Sequence, residues 1–516
     1  MPILGGPLKN VVSLENLLDA GLATRPDSKA VVSLQQTWTF RELERASDNL
    51  CTQYLDRGLK AGDCIASLMP NRGALLVHYV ACFKAGLIAV PLNYRNTPVE
   101  IEHALEASGA KFVFFHAERE ADVIEATKSL EMAGFLSFEW QGKSPYPVFE
   151  DWINERANAA IPTNHPTHAP VFMLFTSGST GPAKGVTHSR QSMSYIFASG
   201  GAGFEMTSED RVLPGSSLSH IGGILFSFSV LSLGGQAIVA RSYGADEIVP
   251  LLRKEEPTVL CMLPCALFNL IRDGHATHED FSSLRLVRSG SDKVPFELES
   301  EFLALTGIPI DEGYGCSETG MATMNPPSAR IIPGSAGRPV PGCDISIRDE
   351  NGNEVPPGEP GVVWMRTNSR MLGYWRDPEA TASVFDGDWF DSGDIMHADE
   401  DGYMYFRGRK KQIIIHNSLN IFPQEVEDAL LLHPSVAFAG VIGVHDLVHG
   451  ENVRAYVVPK QGAVPSDLEL IAFAREQIGY KAPEEIRFLE DMPLNPTGKV
   501  DRVTLKRMAE EAHDHS

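Results

Sequence analysis

Residues 176–185, Thr-Ser-Gly-Ser-Thr-Gly-Pro-Ala-Lys-Gly, form the stretch best equipped for chemistry. Gly178, Gly181 and Gly185 leave backbone N–H groups open, and Thr176, Ser177, Ser179 and Thr180 add hydroxyls. Such a loop wraps phosphate oxygens, with Lys184 as counter-charge. The GxxxxGK[ST] pattern does not fit, because Lys184 follows Ala183 and precedes Gly185. The apolar run 171–175 predicts a strand leading into the loop, and a helical pattern follows from about His188. His220, in Ser217-Leu-Ser-His-Ile-Gly-Gly223, is a second candidate, although a lone histidine beside an apolar run is commonly structural.

The elements that must position these residues follow an alternating rhythm. Thr39-Phe40 opens a helix with Leu43, Ala46 and Leu50 on one face. Strands are predicted at 64–68, 88–91 and 111–115, and a helix over 74–85 stops at Gly86. Strand–helix alternation of this kind indicates a parallel sheet with helices on its faces. It continues through Leu260, Leu286 and Ile310 and changes near Gly337. Residues 337–405 are rich in glycine, proline and short β-runs such as 344–348 and 361–366, which predicts a small β-unit. After Arg409 come strand 412–415, helix 424–432, strands 437–444 and 453–459, helix 467–479 and a last helix from about Arg502. The expected fold class is α/β: an N-terminal domain over 1–408 with stacked, mostly parallel sheets and a β-rich subdomain (337–405), then a small α+β domain over 409–516.

Bulk properties narrow the function classes. The net charge is −23, and the densest basic run, 407–411, is short, so no nucleic-acid partner is expected. Seven scattered cysteines without a CxxC pair argue against a disulfide framework or zinc site and favour reduced thiols in a cytoplasmic protein. No charged n-region with a long apolar h-region opens the chain, so no signal peptide is expected. The uncharged run 221–240 is long enough to span a bilayer, but Gly234-Gly235 and three serines interrupt it. A buried helix over 224–233 and a strand over 236–240 are expected there, with no transmembrane segment.

The loop resembles the signature of the adenylate-forming superfamily, which includes acyl-CoA synthetases, peptide-synthetase adenylation domains and beetle luciferases. Other family motifs follow in order. Gly313-Tyr-Gly-Cys-Ser-Glu318-Thr is similar to YGxTE, and Gly387-Asp-Trp-Phe-Asp-Ser-Gly-Asp394 to GWxxTGD. Arg407-Gly-Arg409-Lys-Lys is similar to GRxKD, and Pro493-Leu-Asn-Pro-Thr-Gly-Lys499 to P-x-x-x-x-GK. The likeness also covers 39–90 and so spans nearly the whole chain.

The resemblance implies a role for each matching residue. Tyr314, between Gly313 and Gly315, would stack on adenine, and the Ser317 hydroxyl would reach the α-phosphate. Glu318, with Thr176, would hold Mg²⁺, since a hard cation takes carboxylate and phosphate oxygens together. Asp394 would accept from the ribose hydroxyls, and Arg409 would add a positive fork. Lys499 would stabilise the charge that builds as a carboxylate attacks the α-phosphorus. His220 would sit beside the acyl pocket. Phe226, Phe228, Leu263 and Ile221 suggest an apolar pocket, hence a fatty or aromatic acid.

Three departures stand out. Family members often have Gly-Gly where this chain has Asn417-Ser418, beside the expected CoA tunnel. The hinge position is Lys411, where many relatives have Asp. Asp292 replaces a small residue near the acyl pocket.

The implied activity is an AMP-forming acid–thiol ligase using ATP, Mg²⁺ and CoA, with a mobile C-terminal domain pivoting at Lys411. Expected partners are a small carboxylic acid and CoA or a carrier protein, with a homodimer left open. A stand-alone enzyme loading a carrier-protein phosphopantetheine and a luciferase-like oxygenase share these motifs. Amino-acid activators usually place an acidic residue near His220, and Ser219-His-Ile has none.

Overall fold

The structure, a computed structural model, describes residues 1–176, 183–272, 274, 276–290, 294–416, 419–446, 450–495 and 499–513. The chain divides into a larger unit, Pro2–Ile345 with Met365–Phe390, and a smaller one, Met1, Ser346–Trp364 and Asp391–Ser516. The division runs through the β-rich segment expected over 337–405.

Two twisted sheets frame the larger unit. In the seven-stranded sheet, Pro170–Thr176, Ile88–Leu92, Cys64–Leu68, Phe112–His116 and Gly134–Phe138 run parallel. Lys184–Ser189 and then Gly373–Tyr374 extend its edge antiparallel. The nine-stranded sheet has a parallel centre that includes Arg211–Gly215, Val259–Met262, Leu286–Ser289 and Ile310–Cys316. Its flank turns antiparallel at Gly320–Met324.

Buried helices fill the space against these strands. Helix Phe40–Asp56 begins at a capping box, Thr39 accepting from the Glu42 N–H while Glu42 accepts from the Thr39 N–H. Every residue of helix Gly73–Ala85 is buried, and Gly86 ends it in the left-handed region at φ 71°. Tyr79 and Phe83 of that helix pack on Phe172 of the sheet and on Phe228 of helix Ile221–Ser232. All-round burial explains why these segments read as continuous apolar runs.

Three expectations need correction. Lys184–Ser189 is a strand, and the helix after it, Arg190–Gly203, starts where the Ser189 hydroxyl accepts from the Ser192 N–H. The run 221–240 folds as helix Ile221–Ser232 and strand Gln236–Ile238, so its helix begins directly after His220. Residues 410–412 form a 3₁₀ turn, which delays the strand expected at 412 to Ile414–His416. Among the described residues no helix is long and apolar enough to cross a membrane.

The smaller unit is built on a five-stranded sheet of Leu419–Ile421, Ile414–His416, Gly450–Pro459, Val436–Asp446 and the parallel strand Glu485–Phe488. Alternation sorts its two faces. Val441, Val453 and Val457 face the cluster with Val426, Leu430 and Leu470, whereas Ile442 and Tyr456 pack with Leu505 and Ala509 of helix Arg502–His513. Buried Glu427 accepts from the Val441 N–H and pairs with Arg502, tying that helix to Pro423–Leu431.

Candidate functional site

In the larger unit the strands on either side of the glycine-rich segment, Pro170–Thr176 and Lys184–Ser189, pair antiparallel as a hairpin. Thr176 and Lys184 are register partners at its end, followed by Phe175 and Gly185. Ser177, Gly178, Ser179, Thr180 and Gly181 lie outside the described residues. Lys184 is half-exposed, its Nζ 3.6 Å from Asp377 Oδ2 and 5.1 Å from the Tyr374 ring centre.

Gly313, Tyr314, Gly315, Ser317 and Glu318 share a second hairpin. Ile310–Cys316 pairs antiparallel with Gly320–Met324, and a bulge at Tyr314/Gly315 re-aims the strand before the turn 317–319. Glycine is required at two positions. A Cβ on Gly315 would sit 2.3 Å from the Gly320 carbonyl oxygen, and one on Gly313 would meet the Arg288 guanidinium at 2.3 Å. That guanidinium is buried and pairs with Asp311 at 3.2 Å, while the Asn325 side-chain amide donates to the other Asp311 oxygen at 2.9 Å. Burial raises the Asp311 carboxyl above its ordinary value, and Arg288 works against that.

His188 supports the turn itself. Its Nε2 lies 2.7 Å from the Ser317 carbonyl oxygen and donates to it, and Nδ1 faces the Ser192 hydroxyl at 3.2 Å. Full burial pushes His188 down to about 4, so the ring is neutral at pH 7.

Segment 371–375 stitches the two hairpins together. The Met371 N–H donates to the Glu318 carbonyl, and the Leu372 and Trp375 N–H groups donate to the Thr187 and Gly185 carbonyls, each at 2.7 Å. The Tyr374 hydroxyl then donates to Glu318 Oε1 at 3.1 Å. Burial, with Glu318 adding to it, pushes the phenol well up, so it stays a donor. Sequence reading missed Tyr374, Asp377 and His188. The only signal for the first was Gly373-Tyr374-Trp375, a glycine before two aromatics.

His220 caps helix Ile221–Ser232 through its backbone and makes no side-chain hydrogen bond with a described residue. Desolvation lowers its pKa, favouring neutral imidazole. Of the residues expected to line an apolar pocket, Phe228 is fully buried against Phe83 and Phe197, and Phe226 is buried and packs edge-on against Phe204. Ile221 and Leu263 keep some exposure. Asp292 lies outside the described residues.

In the smaller unit, Asp394 and Arg409 are partners across the hairpin of residues 394–398 and 404–409. Asp394 is buried, and its Oδ1 lies 3.2 Å from Nε of the half-exposed Arg409. Its N–H donates to the Ser392 hydroxyl, which donates to the Val363 carbonyl. Lys411 is exposed in the 3₁₀ turn. Lys499 sits in a loop closed by the Leu494–Val500 bridge. Its N–H donates to Asn495 Oδ1 at 3.0 Å, and the Asn495 N–H returns to the Lys499 carbonyl. Asn417 and Ser418 lie outside the described residues.

The donor chemistry at Glu318 suits a hard cation. Among the described residues no group of three or more His, Cys, Asp and Glu side chains is placed to hold a metal. Mg²⁺ bound with a nucleotide takes one or two protein carboxylates together with phosphate and water oxygens, a role open to Glu318.

Known proteins resemble this chain over nearly its whole length. The chain is 32% identical over 492 residues to the fatty acid–[acyl-carrier-protein] ligase ScoC of Streptomyces coeruleorubidus, with 93% of each chain covered. It is 31% identical over 536 residues to the long-chain-fatty-acid–CoA ligase of Yersinia pestis, covering 96% of this chain and 94% of that one. ATP-bound MatB from Rhodopseudomonas palustris superposes with a TM-score of 0.89 at 26% identity, over 97% of this chain and 100% of that one. Residues 18–375 match the AMP-binding enzyme family model, and residues 425–499 match the AMP-binding enzyme C-terminal domain. The chain is thus an ATP-using member of the AMP-binding, adenylate-forming ligase family.

Proposed function

We propose that this chain is an AMP-forming acid–CoA ligase acting on a fatty or aromatic carboxylic acid. A carboxylate oxygen attacks the α-phosphorus of ATP and pyrophosphate leaves, giving acyl-AMP. The CoA sulfur then attacks the acyl carbon, AMP leaves with the phosphate oxygen, and the thiol proton goes to a base. The single observation that carries this reading is the junction in the larger unit. Lys184 ends the glycine-rich hairpin, Glu318 ends the other motif hairpin, and Tyr374 touches both.

The assigned roles follow the chemistry of each group. Lys184 and the loop hydroxyls bind phosphate, Ser317 the α-phosphate, and Glu318 with Thr176 the Mg²⁺, whose charge offsets that of the triphosphate. Tyr314 stacks on adenine, and Asp394 and Arg409 take the ribose. Lys499 supplies positive charge to the first transition state. Neutral His220 is suited to accept the thiol proton. Residues 409–516 act as the mobile domain, with Lys411 as its pivot.

The test is a panel of fatty and aromatic acids scored by pyrophosphate release and, with CoA present, by thioester yield. Acid-dependent pyrophosphate release with thioester formation is expected. Acyl-AMP without acyl-CoA, under saturating CoA, would overturn the acceptor. The likeness to ScoC, named as a carrier-protein ligase, then favours a phosphopantetheine arm on a protein.

A further inference from the structure

We infer that Tyr374 is a positioning residue for the nucleotide site, holding the Glu318 carboxylate and the Lys184 ammonium in one arrangement. The inference rests on the reading of Glu318 and Lys184 given above and goes beyond it to a residue that none of the motifs quoted above contains.

The argument begins with the backbone. Segment 371–375 donates hydrogen bonds to both motif hairpins, to the Glu318 carbonyl on one side and to the Gly185 and Thr187 carbonyls on the other. Gly373 and Tyr374 are also register partners of Thr187 and Val186. Tyr374 is therefore fixed where the two hairpins meet. A Cβ on Gly373, at φ 151°, would lie 2.6 Å from Thr381, and the Thr381 hydroxyl accepts from the Tyr374 N–H at 2.9 Å.

The side chain then does two separable things. Its hydroxyl occupies Glu318 Oε1 at 3.1 Å, which fixes the carboxylate rotamer. Hydrogen bonds to a charged acceptor are about twice as strong as neutral ones, so this contact can hold a half-buried carboxylate. The Tyr374 ring face meets Lys184 Nζ at 5.1 Å, within cation–π range. Asp377, the N-cap of helix Pro378–Ala382, balances the ammonium at 3.6 Å. Without the hydroxyl, Glu318 must pay rotamer entropy each time it engages a cation. Without the ring, Lys184 loses its platform as well.

Tyr374→Phe and Tyr374→Leu separate these effects. ATP binding is measured by titration calorimetry across a Mg²⁺ series and in EDTA, alongside Glu318→Gln and the double variant Tyr374→Phe/Glu318→Gln. Tyr374→Phe keeps the ring, so it is expected to raise the Mg²⁺ midpoint about tenfold and leave binding in EDTA unchanged. Tyr374→Leu is expected to weaken binding in EDTA about threefold in addition. The double variant is expected to match Glu318→Gln, because the hydroxyl acts through that carboxylate. A wild-type Mg²⁺ midpoint in Tyr374→Phe, with Glu318→Gln shifted, overturns the positioning role alone. Additive shifts in the double variant do the same. A wild-type midpoint in Glu318→Gln overturns the assignment of Glu318 and this inference together.

Discussion

Both units carry motif residues on β-hairpins or bridge-closed loops, but they hold them by different means. In the larger unit, Lys184 and Glu318 lie on neighbouring hairpins, and buried polar groups back the second: the Arg288–Asp311–Asn325 network and neutral His188 at the Ser317 carbonyl. Three backbone hydrogen bonds of 2.7 Å from segment 371–375 join their hairpins. In the smaller unit, half-exposed Arg409 reaches buried Asp394, and Lys411 is exposed. Charges at low dielectric are expensive to move, and charges near water are cheap to move. The buried Arg288–Asp311 pair is thus fixed in place, while the more exposed cations, Lys184 as well as Arg409 and Lys411, can change partners at less cost. Exposed Arg409 and Lys411 suit a proposed cycle in which the small domain changes its role between two steps.

The largest effect should come from breaking the buried support in the larger unit. Asp311→Ala leaves the buried Arg288 charge without its carboxylate partner, and a loss of about 3–5 kcal/mol in unfolding free energy is expected. Urea denaturation measures it. A loss below about 1 kcal/mol would put this network on the level of a surface ion pair and erase the contrast between the units.

Acid should expose burial in the larger unit as well. His78 is fully buried, with the Tyr54 hydroxyl 2.9 Å from Nδ1 and the Cys82 thiol 3.8 Å away, and burial pushes it down to about 3. The unfolded chain binds a proton near the ordinary value of 6.5, which the folded chain refuses. Stability from this group is therefore complete above 6.5 and falls as pH drops towards 3, by up to about 4 kcal/mol. His78→Gln should melt below wild type at pH 7 and close the gap by pH 4. A constant gap would remove His78 as a source of acid sensitivity.

In the smaller unit the expected loss is catalytic. Lys499→Ala should reduce acid-dependent pyrophosphate release by ~10²-fold or more with an unchanged melting temperature. Thioester formation from supplied acyl-AMP should survive. Equal loss in both half-reactions would show that Lys499 serves the fold or both steps, contrary to an exchange of partners.

The smallest effect is expected at residues 417–418. Asn417→Gly with Ser418→Gly should change the apparent KM for CoA about threefold and leave acyl-AMP formation nearly unchanged, because added backbone freedom bears on the thiol's approach. Parallel changes in both half-reactions would assign this loop to the first step or to stability.

Periodicity and capping made much of the scaffold legible. Strand Cys64–Leu68, the helix start at Thr39-Phe40 and the Gly86 stop are local features and lie where the sequence places them, while the Thr39–Glu42 capping box is a detail that the structure adds. Motif order likewise identified the family, because phosphate chemistry demands those residue types at those spacings. The Lys184–Ser189 strand was misread as a prelude to a helix. Its run of Gly185, Val186, Thr187 and His188 lacks clear alternation, and its partner strands come from elsewhere in the chain. Hydrophobicity alone does not separate a lining side chain from a core one, so the sequence does not assign Phe226 and Phe228 to either role. Composition, local turns and motif chemistry were thus fixed by the sequence itself. Only the tertiary structure brought Tyr374 to Glu318, His188 to Ser317 and Asp311 to Arg288. These contacts join residues far apart in the chain, and their energies depend on a burial that no local pattern encodes.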